Sequence, residues 1–508
     1  MPPSPMRQSL LDEDSTPPFS LLNEWNFFLR QGVPLALSAV LESGIPPVFN
    51  MIVAGQTKDS ATLQAALGFG RVFYNCGALM PMMGFCSGYF GAVIPGCIGA
   101  GKKERIPMYF RRSLLLTTAC ILPFLALQLA AAPVLGAVRV PPDVAAAAGV
   151  YCRLMILTSL LLLLETHLKI VFVSLGYAHA ATLNSILTGV GVDMAATYLF
   201  VYHLDLGIRG TAYAQIALRA ARVVVWLAFA VRYRMLRLIF ARGASEEPLL
   251  TRREAKVYFG LAVPQILQFL GGWFIFELQM VFLSNVRGIQ PAQLSAGSIW
   301  VQCEGAMAAV QSGWIQATKI RTLSLLGKQD PNAGRSFYLL VFFSFLLVTL
   351  SCAPLLALPQ QIASIFTNDA AVQQAFRGVL WLLVPHALSR ILSLPFATIL
   401  IPMGAKCFAI VTTFATFYGV ATPIAMVVAL TDVFTRSVEV KMGFCLGATT
   451  IAQLAALLAV IVYMLLRIDW KVAGQVIANR ANSDVRSLPV NSTREPVEPA
   501  PPCIEPPE

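Results

Sequence analysis

Residues 174–186 read SLGYAHAATLNSI and residues 401–413 read IPMGAKCFAIVTT, with Gly176 and Gly404 at equivalent positions 228 residues apart. Three further pairs of landmarks keep the same order and nearly the same offset. These are Pro34 with Pro264, Gly99 with Gly327, and Asp143 with Asp369, at offsets of 230, 228 and 226 residues. Four ordered matches with so little scatter indicate a duplicated unit of about 230 residues.

The composition places this repeat in a membrane. Hydrophobic residues make up 57% of the chain and charged residues 12%, whereas soluble domains contain about 25% charged residues. Only helices and closed barrels satisfy their backbone in lipid. We therefore predict an all-α membrane protein with twelve transmembrane helices in two pseudo-symmetric six-helix lobes around a central cavity, an architecture typical of transporters. The predicted spans are approximately 31–55, 66–97, 113–136, 148–173, 182–203, 209–231, 257–283, 294–317, 337–358, 376–400, 405–430 and 441–466.

The net charge of +11 does not indicate nucleic-acid binding, because the positive charge is concentrated in alternate loops. The main basic residues there are Lys102, Lys103, Arg105, Arg232, Arg234, Arg237, Arg252, Arg253, Lys319, Arg321 and Lys328. The positive-inside rule then places both termini in the cytosol. Six spans in each half give the two halves the same orientation, so the predicted repeat is parallel.

These patterns divide the chain into five predicted segments. They are a cytosolic N-terminal segment (1–30), an N-lobe (31–231), a cytosolic linker (232–256), a C-lobe (257–466) and a disordered cytosolic tail (467–508). The tail is assigned from its polar, proline-rich sequence, which includes REPVEPAPPCIEPPE. The first segment has no basic–apolar–small pattern, so we expect no cleavable signal peptide.

Several chemistries lack their sequence signals. The ten cysteines are scattered without a CxxC pair, and the four histidines do not cluster. No GxxxxGK[ST] motif is present for ATP binding. We therefore expect no enzyme activity, no metal and no cofactor, and an energy source in an ion gradient, with protons favoured and sodium as the alternative.

Ionisable side chains inside spans are costly in lipid, so each is a functional candidate. Glu277 lies near the middle of the seventh predicted span, in QFLGGWFIFELQMVFL, without a basic residue nearby. Trp273 lies one turn earlier on the same helix face. Because apolar surroundings disfavour an ionised carboxyl, Glu277 could exchange a proton between conformations, and we predict a coupling role. The alternative is a buried structural carboxyl.

Asp193 is the second predicted coupling residue. It lies in TGVGVDMAATYLF, where glycines permit close helix approach or a cavity. Arg219 and Arg222 in the sixth span could each pair with it. Such a pair would be either purely structural or a switch that a proton or a substrate breaks.

Other polar residues are predicted to line the cavity. Glu42 precedes a bend expected at Pro46, which removes the amide that would bond the carbonyl of residue 42, and Asn50 lies two turns further along. The remaining predicted cavity residues are Asn75, Gln302, Glu304, His386 and Arg390. In contrast, we expect Glu165, His167 and Lys169 to lie at the membrane interface.

Several stretches resemble motifs of multidrug and toxic compound extrusion (MATE) transporters. GGWFIFE (271–277) is similar to the Trp-rich seventh span of that family, with its acidic residue at Glu277. LGIRGTAYA (206–214), IFTNDAAV (365–372) and FYGVATPIAMVVAL (417–430) resemble the segments after spans five and nine and within span eleven. VFYNCGALMPMMGF keeps the asparagine of span two as Asn75. The resemblance covers about residues 30–470.

The resemblance implies two six-helix lobes, alternating access and export driven by a proton or sodium gradient. In eukaryotic-type members the coupling acid lies in the C-lobe, which matches Glu277. Bacterial-type members use acids of spans one and five, of which Asp193 matches the second, whereas Asn50 stands where the first would be. The family's C-lobe carboxylates of spans eight and ten fall on Gln302 and near Ser389 or Arg390. Because those carboxylates attract organic cations, the resemblance implies a divergent member whose substrate could be anionic or neutral.

The sequence thus predicts a proton-coupled antiporter that exports small organic compounds or xenobiotics. We expect a monomer in the plasma membrane or a vacuolar or endosomal membrane, with the bilayer and a small organic substrate as its partners and no nucleic acid. A lipid-linked sugar flippase remains an alternative, favoured if Arg219, Arg222 and Arg390 face one cavity. A membrane scaffold or receptor is a further alternative, favoured if the acids are enclosed in salt bridges.

Overall fold

The structure is a computed structural model that describes residues 19–44, 66–67, 69–71, 73–137, 142–240, 250–366, 370–432 and 437–482. All regular elements in these ranges are helices. Helices of 18 or more residues are numbered α1 to α12, and a shorter terminal helix is α13. They are α1 (21–44), α2 (Phe69–Gly99), α3 (Lys103–Leu129), α4 (Pro142–Ser174), α5 (Ala178–His203), α6 (Gly207–Arg232), α7 (Arg252–Ser284), α8 (Pro291–Gly327), α9 (Ala333–Ala357), α10 (Leu383–Leu400), α11 (Lys406–Leu430), α12 (Val438–Arg467) and α13 (Trp470–Asn482).

Nine helices in the described ranges are long and apolar enough to cross a membrane, namely α2 to α6 and α9 to α12. Their outer faces carry large exposed apolar side chains such as Leu458, Leu465 and Leu466, as expected of lipid-facing surfaces. The long helices α1, α7 and α8 are not among the nine. Shorter helices cover Ala131–Ala137, Leu236–Phe240, Pro359–Phe366 and Ala370–Leu380.

Several long helices contain π-helical segments. One covers Val40–Gly44 at the end of α1, and another covers Ile186–Asp193 in α5. The latter has a counterpart in Phe417–Ala421 of α11, and the final residues of these two segments are 228 positions apart. The remaining two are Asn75–Leu79 and Tyr198–His203. Because π-helices are rare and often mark functional sites, these segments direct attention to α1 and α5.

The duplicated turns share one backbone geometry. Gly176 and Gly404 both have positive φ, at 94° and 103°, a conformation that favours glycine. In each turn the next residue donates its N–H to the carbonyl five positions earlier, from Tyr177 to Phe172 and from Ala405 to Leu400, both at 2.9 Å. Gly101 and Gln329, again 228 positions apart, also share positive φ. The offset seen in the sequence is thus present in the backbone.

The first half of the chain (19–240) packs against the second half (250–482) at one end of the bundle. We call this the basic end and define it by residues 100–105, 233–240 and 328–332. A Cβ built on Gly99 would lie 2.8 Å from the carbonyl carbon of Ser324, and one on Gly327 would lie 3.0 Å from the carbonyl carbon of Gly96. The backbones of α2 and α8 therefore touch directly there.

Two ion pairs join the halves at the same end. Arg112 of α3 binds Glu254 in the first turn of α7 at 2.5 Å. Arg321 of α8 binds Glu24 of α1 at 2.5 Å, and the hydroxyl of Ser336 donates to the same carboxylate at 2.7 Å. Both carboxylates lie where two helices from different halves meet, so separating the halves would break both pairs.

The contact between α2 and α7 extends from the basic end as far as Gly84, where a Cβ would lie 2.8 Å from Cα of Ile266. Beyond that point each of the two helices contacts a helix of its own half. Gly271 of α7 lies against Thr413 of α11, and Gly77 of α2 lies against Gln128 of α3. The described contacts between α2 and α7 thus cover the part of each helix nearer the basic end.

Candidate functional site

Glu42 is held by polar groups from three helices. Lys169 of α4 binds both of its carboxylate oxygens, at 2.9 and 2.8 Å. The hydroxyls of Ser38 and Ser185 donate to Oε1 at 2.7 and 2.8 Å. The carboxylate lies in the Val40–Gly44 π-helical segment, and a Cβ on Gly189 would lie 2.8 Å from the carbonyl oxygen of Leu41. The glycine-rich stretch of α5 therefore does allow the close approach that its sequence predicts.

Glu165 of α4 binds both arginines of α6. Its Oε2 accepts a hydrogen bond from Arg219 at 2.9 Å, and its Oε1 lies 3.3 Å from Arg222. Arg222 also donates from Nε to the hydroxyl of Thr188 at 3.1 Å. Glu165 is 3% exposed and Arg222 is 1% exposed, so this is a buried ion-pair network.

Glu165 and His167 are buried by protein and Lys169 is partly exposed, whereas their predicted depth at the membrane interface stays a prediction. His167 is fully buried, with its ring nitrogens near the carbonyl of Leu163 and the hydroxyl of Ser113. The three residues lie in the last third of α4, and neighbouring helices cover that part of it. Proximity to a helix end in sequence does not reveal such coverage.

Asp193 differs from the other acids of this region because no cation binds it directly. It is fully buried at the last residue of the Ile186–Asp193 π-helical segment. Gln215 of α6 donates to its Oδ1 at 3.1 Å, while its Oδ2 has no hydrogen-bond partner. The two arginines that could have paired with it bind Glu165 instead. Buried carboxylate oxygens without partners are rare and call for a functional or solvent explanation.

These side chains form one cluster, which we call the N-half cluster. Its ionisable members are Glu42, Glu165, Asp193, Lys169, Arg219 and Arg222. Three acids and three bases make it formally neutral when all are charged, and one added proton would make its charge +1. Buried polar groups also remain at the Nε of Arg219 and a terminal nitrogen of Arg222, neither of which has a hydrogen-bond partner. Buried polar atoms of this kind are the usual hydrogen-bond partners of internal water molecules.

A second cluster lies in the other half between α8, α10 and α12. Arg390 binds Oε1 of Glu304 at 2.6 Å, and Nε2 of His386 lies 3.5 Å from the same oxygen. Nδ1 of His386 is 3.2 Å from the hydroxyl of Thr450. Glu304, His386 and Arg390 line one narrow pocket together with Met307, Ala308, Gln311, Leu383 and Ala387. The structure thus brings Glu304, His386 and Arg390 together, and their predicted place in the central cavity stays a prediction.

Other predicted site residues are placed only in part. The side chains of Trp273, Glu277 and Gln302 lie outside the described residues, although their helices α7 and α8 are described. Asn50 lies entirely outside the described ranges. Asn75 is half-buried in the Asn75–Leu79 π-helical segment of α2. The roles of these five side chains stay predictions.

Sequence reasoning missed the neutral partners of the acids. Ser38 precedes Glu42 by four residues, a spacing that places both on one helix face, so this signal was available. Ser185 and Gln215 gave no such signal. Lys319 of α8 was also missed as an interior group, and its ammonium donates to the carbonyl of Ser87 in α2 at 3.3 Å. Within the described residues, no three His, Cys, Asp or Glu side chains are grouped to hold a metal.

The helices and buried charges define a multi-pass membrane protein with polar clusters inside its bundle. The MatE family model matches residues 34–199. Multidrug and toxin extrusion protein 1 of Homo sapiens is 26% identical over 404 residues, covering 77% of this chain and 66% of that protein. The same protein of Oryctolagus cuniculus is 25% identical over 275 residues, covering 53% of this chain. The match spans 46% of that rabbit relative's length and 60% of rabbit multidrug and toxin extrusion protein 2.

The fold comparison agrees with the sequence comparison. The crystal structure of the eukaryotic MATE transporter AtDTX14 superposes with a TM-score of 0.78 and 16% identity, covering 91% of this chain and 99% of that one. The resemblance to MATE transporters is therefore confirmed in both sequence and fold. These relatives are transporters rather than enzymes, which agrees with the expectation drawn from the motifs.

Proposed function

We propose that this chain is a proton-coupled antiporter that exports small organic compounds by alternating access. It would act as a monomer in a plasma, vacuolar or endosomal membrane, with no cofactor. The proposal takes α1, α7 and α8 as spans in addition to the nine apolar helices, which gives twelve spans in two six-helix lobes. Their length and the 228-residue offset of the matched turns support this count. The predicted lobe boundaries and linker are part of the same proposal. The predicted disorder of the whole tail is wrong for its first part, because residues 470–482 form α13 and pack on the bundle, and residues 483–508 lie outside the described residues.

The orientation follows from the basic end. Arginine and lysine residues are concentrated in the connections at that end, and cytosolic loops carry such an excess. We therefore place the basic end and both termini in the cytosol. Because α2 and α7 contact one another near this end and then contact their own halves, the proposed cleft opens on the opposite side. The described conformation would accordingly be outward-facing.

Asp193 carries the coupling proposal. Among the acids of the proposed spans with described side chains, Glu42, Glu165 and Glu304 each bind a cation directly, whereas Asp193 is bound only by Gln215. A buried ionised carboxyl without a direct cation is costly, and protonation relieves that cost. Asp193 lies 15 residues along α5 from its start near the basic end, or about 22 Å. A proton would therefore reach it from the outward side.

The proposed cycle needs only a proton gradient. One charge moving down 100 mV gives about 2.3 kcal/mol, and each pH unit adds about 1.4 kcal/mol. Proton uptake at Asp193 would give the N-half cluster a positive charge and so change its interactions with Glu165, Arg219 and Arg222. Glu277 in α7 remains a second proposed coupling acid, since it matches the acidic residue of the family motif.

The substrate class is proposed only as small organic compounds. Arg390 neutralises Glu304 in the second cluster, so this carboxylate does not offer a free negative charge to an organic cation. Arg390 and the arginines of the N-half cluster bind acids of different halves, an arrangement unlike the single cationic cavity that a lipid-linked sugar flippase would need. A probe set should therefore include cations, neutral compounds and anions.

Transport in proteoliposomes tests the proposal. Purified protein would be assayed with a quaternary ammonium cation, an aromatic carboxylate and a flavonoid under an imposed pH gradient. We expect accumulation of at least one probe, and its loss when a proton ionophore is added. Asp193→Asn keeps the side-chain volume and an oxygen for Gln215, so it should leave thermal stability nearly unchanged and reduce pH-driven accumulation at least tenfold. Glu104→Gln on an exposed turn is the matched control.

The outcomes separate the alternatives. Full pH-driven accumulation by Asp193→Asn would reject Asp193 as the coupling group, and a parallel assay of Glu277→Gln would then test the second acid. A flux that needs sodium and ignores pH would select sodium coupling. No flux of any probe, together with scrambling of a lipid-linked sugar, would select the flippase, and the absence of both activities would leave a scaffold or receptor.

A further inference from the structure

The terminal helix α13 contacts both halves of the chain at the basic end. It follows α12 directly, and its first residue, Trp470, packs on α9 of the second half. A Cβ on Gly334 would lie 2.8 Å from the Trp470 ring, and the rings of Phe337 and Tyr338 lie 5.7 and 5.9 Å from it, centre to centre. The beginning of α13 is thereby fixed to the second half.

The remainder of α13 reaches the first half. Ile477 is 4% exposed, and its Cγ2 would lie 2.8 Å from a Cβ on Gly96 of α2. The hydroxyl of Tyr109 in α3 donates to the carbonyl of Arg480 at 3.4 Å. A guanidinium nitrogen of Arg480 donates in turn to the carbonyl of Pro402 in the second half at 2.6 Å. Both ends of α13 are therefore attached, and its contacts alternate between the halves.

The attachment point on α2 is the place where the halves touch. Gly96 lies against both Ile477 of α13 and Gly327 of α8. If α2 moves away from α8, Ile477 must leave Gly96 or Trp470 must leave Gly334, because one short helix cannot follow both. The ion pairs of Glu24 and Glu254 would break in the same movement.

We propose that α13 is a strap that holds the basic end closed and must release one half before that end can open. This inference rests on the proposed alternating access, since it assigns α13 to the closed state of that cycle. Loosening the strap should raise the population in which the basic end is open, and fixing it should stop the cycle. Residues 470–482 would thus set how readily the basic end opens.

Cysteine labelling at the basic end tests the strap. Ala317 of α8 is 1% exposed and lies four residues after Gly313, on the face that meets α1. In a background without the ten native cysteines, Ala317→Cys should react slowly with a membrane-impermeant maleimide added at the basic side. We expect Ile477→Ala, Trp470→Ala and deletion of residues 470–508 each to raise the labelling rate at least fivefold.

Two controls separate the strap from unspecific damage. Val472→Ala changes a side chain that is 53% exposed on the same helix, and deletion of residues 483–508 leaves α13 intact. Both should leave labelling within about twofold of the parent. Unchanged labelling in Ile477→Ala and Trp470→Ala would overturn the proposal, as would an equal rise in Val472→Ala. Should the larger deletion fail to fold, the two point variants decide the question.

A reversible cross-link supplies the opposite perturbation. Cysteines at positions 96 and 477 would have Cβ atoms close enough for a disulfide. Oxidation should lower labelling at Ala317→Cys below the parent rate, and reduction should restore it; labelling that oxidation does not lower would overturn the proposal. Labelling needs neither a substrate nor a coupling ion. A strap effect without transport of any probe would refute the proposed function alone, whereas transport with labelling unaffected by α13 would refute the strap alone.

Discussion

Gly313→Ala should force apart α8 and α1, which belong to different halves and pack directly on one another. A Cβ at position 313 would lie 2.5 Å from the carbonyl carbon of Leu35 and closer still to the N and Cα of Ala36. Unstrained carbon contacts lie at about 3.5–4.0 Å, so α8 and α1 would have to separate by about 1 Å or more. Backbone atoms cannot rotate away as a side chain can. We therefore expect a cost near the upper end of the 1–3 kcal/mol typical of overpacking.

The matched control lies in the same helix. Gly305 is exposed and a Cβ there meets nothing within 4 Å, so Gly305→Ala should gain about 0.5–1 kcal/mol of helix stability. The two variants make the same chemical change with opposite expected signs. Thermal unfolding in detergent should show a lower Tm for Gly313→Ala and an equal or higher Tm for Gly305→Ala.

The same pair can be followed by labelling. A cost of about 3 kcal/mol corresponds to about a hundredfold change in an equilibrium constant, so a cysteine on the contact face of α8 should become much more reactive in Gly313→Ala. Equal Tm and equal labelling in the two glycine variants would refute the direct backbone contact between α1 and α8. A lower Tm in both would show that α8 tolerates no added methyl group, and the steric argument would fail.

Two further predictions concern single residues. Glu165→Gln should destabilise the protein by about 3–5 kcal/mol, because it leaves the buried Arg222 and the partly exposed Arg219 without their acid. A small effect on Tm and on folded yield relative to the exposed Glu104→Gln would contradict the buried network. Gly404→Ala should cost about 1–2 kcal/mol because its φ is 103°, whereas Gly378→Ala in an open helical position should not lower Tm; equal unfolding midpoints would reject the strained turn.

The helices and the repeat were largely predictable because both depend on local sequence. Apolar runs of sufficient length indicate spans in lipid, and Gly176 and Gly404 mark equivalent turns since each requires positive φ. Sequence also singled out Asp193, Glu304, His386 and Arg390 as charged or titratable side chains inside apolar runs, where such residues are rare. Those predictions need only position along the chain and the cost of burial.

The partners of the charges were not predictable in the same way. Glu165 and Arg219 are 54 residues apart, and Glu42 and Lys169 are 127 apart. Whether the arginines of α6 meet Glu165 of α4 or Asp193 of α5 depends on how the three helices are rotated and tilted. No local sequence pattern determines that rotation and tilt. Asp193 and Glu165 were equally available in sequence, so the choice of Glu165 by both arginines appears only in three dimensions.

The matched π-helical segments bear on the history of the chain. A π-helical turn accommodates one residue more than an α-helix of the same length, so it records an insertion that the helix absorbed without breaking. The segment in α5 ends at Asp193 and the one in α11 ends at Ala421, each 17 residues after its glycine of positive φ. Insertions at the same place in both copies indicate that the extra residue was present in the single ancestral unit. The shape is therefore older than the duplication, and the acid distinguishes the two descendants.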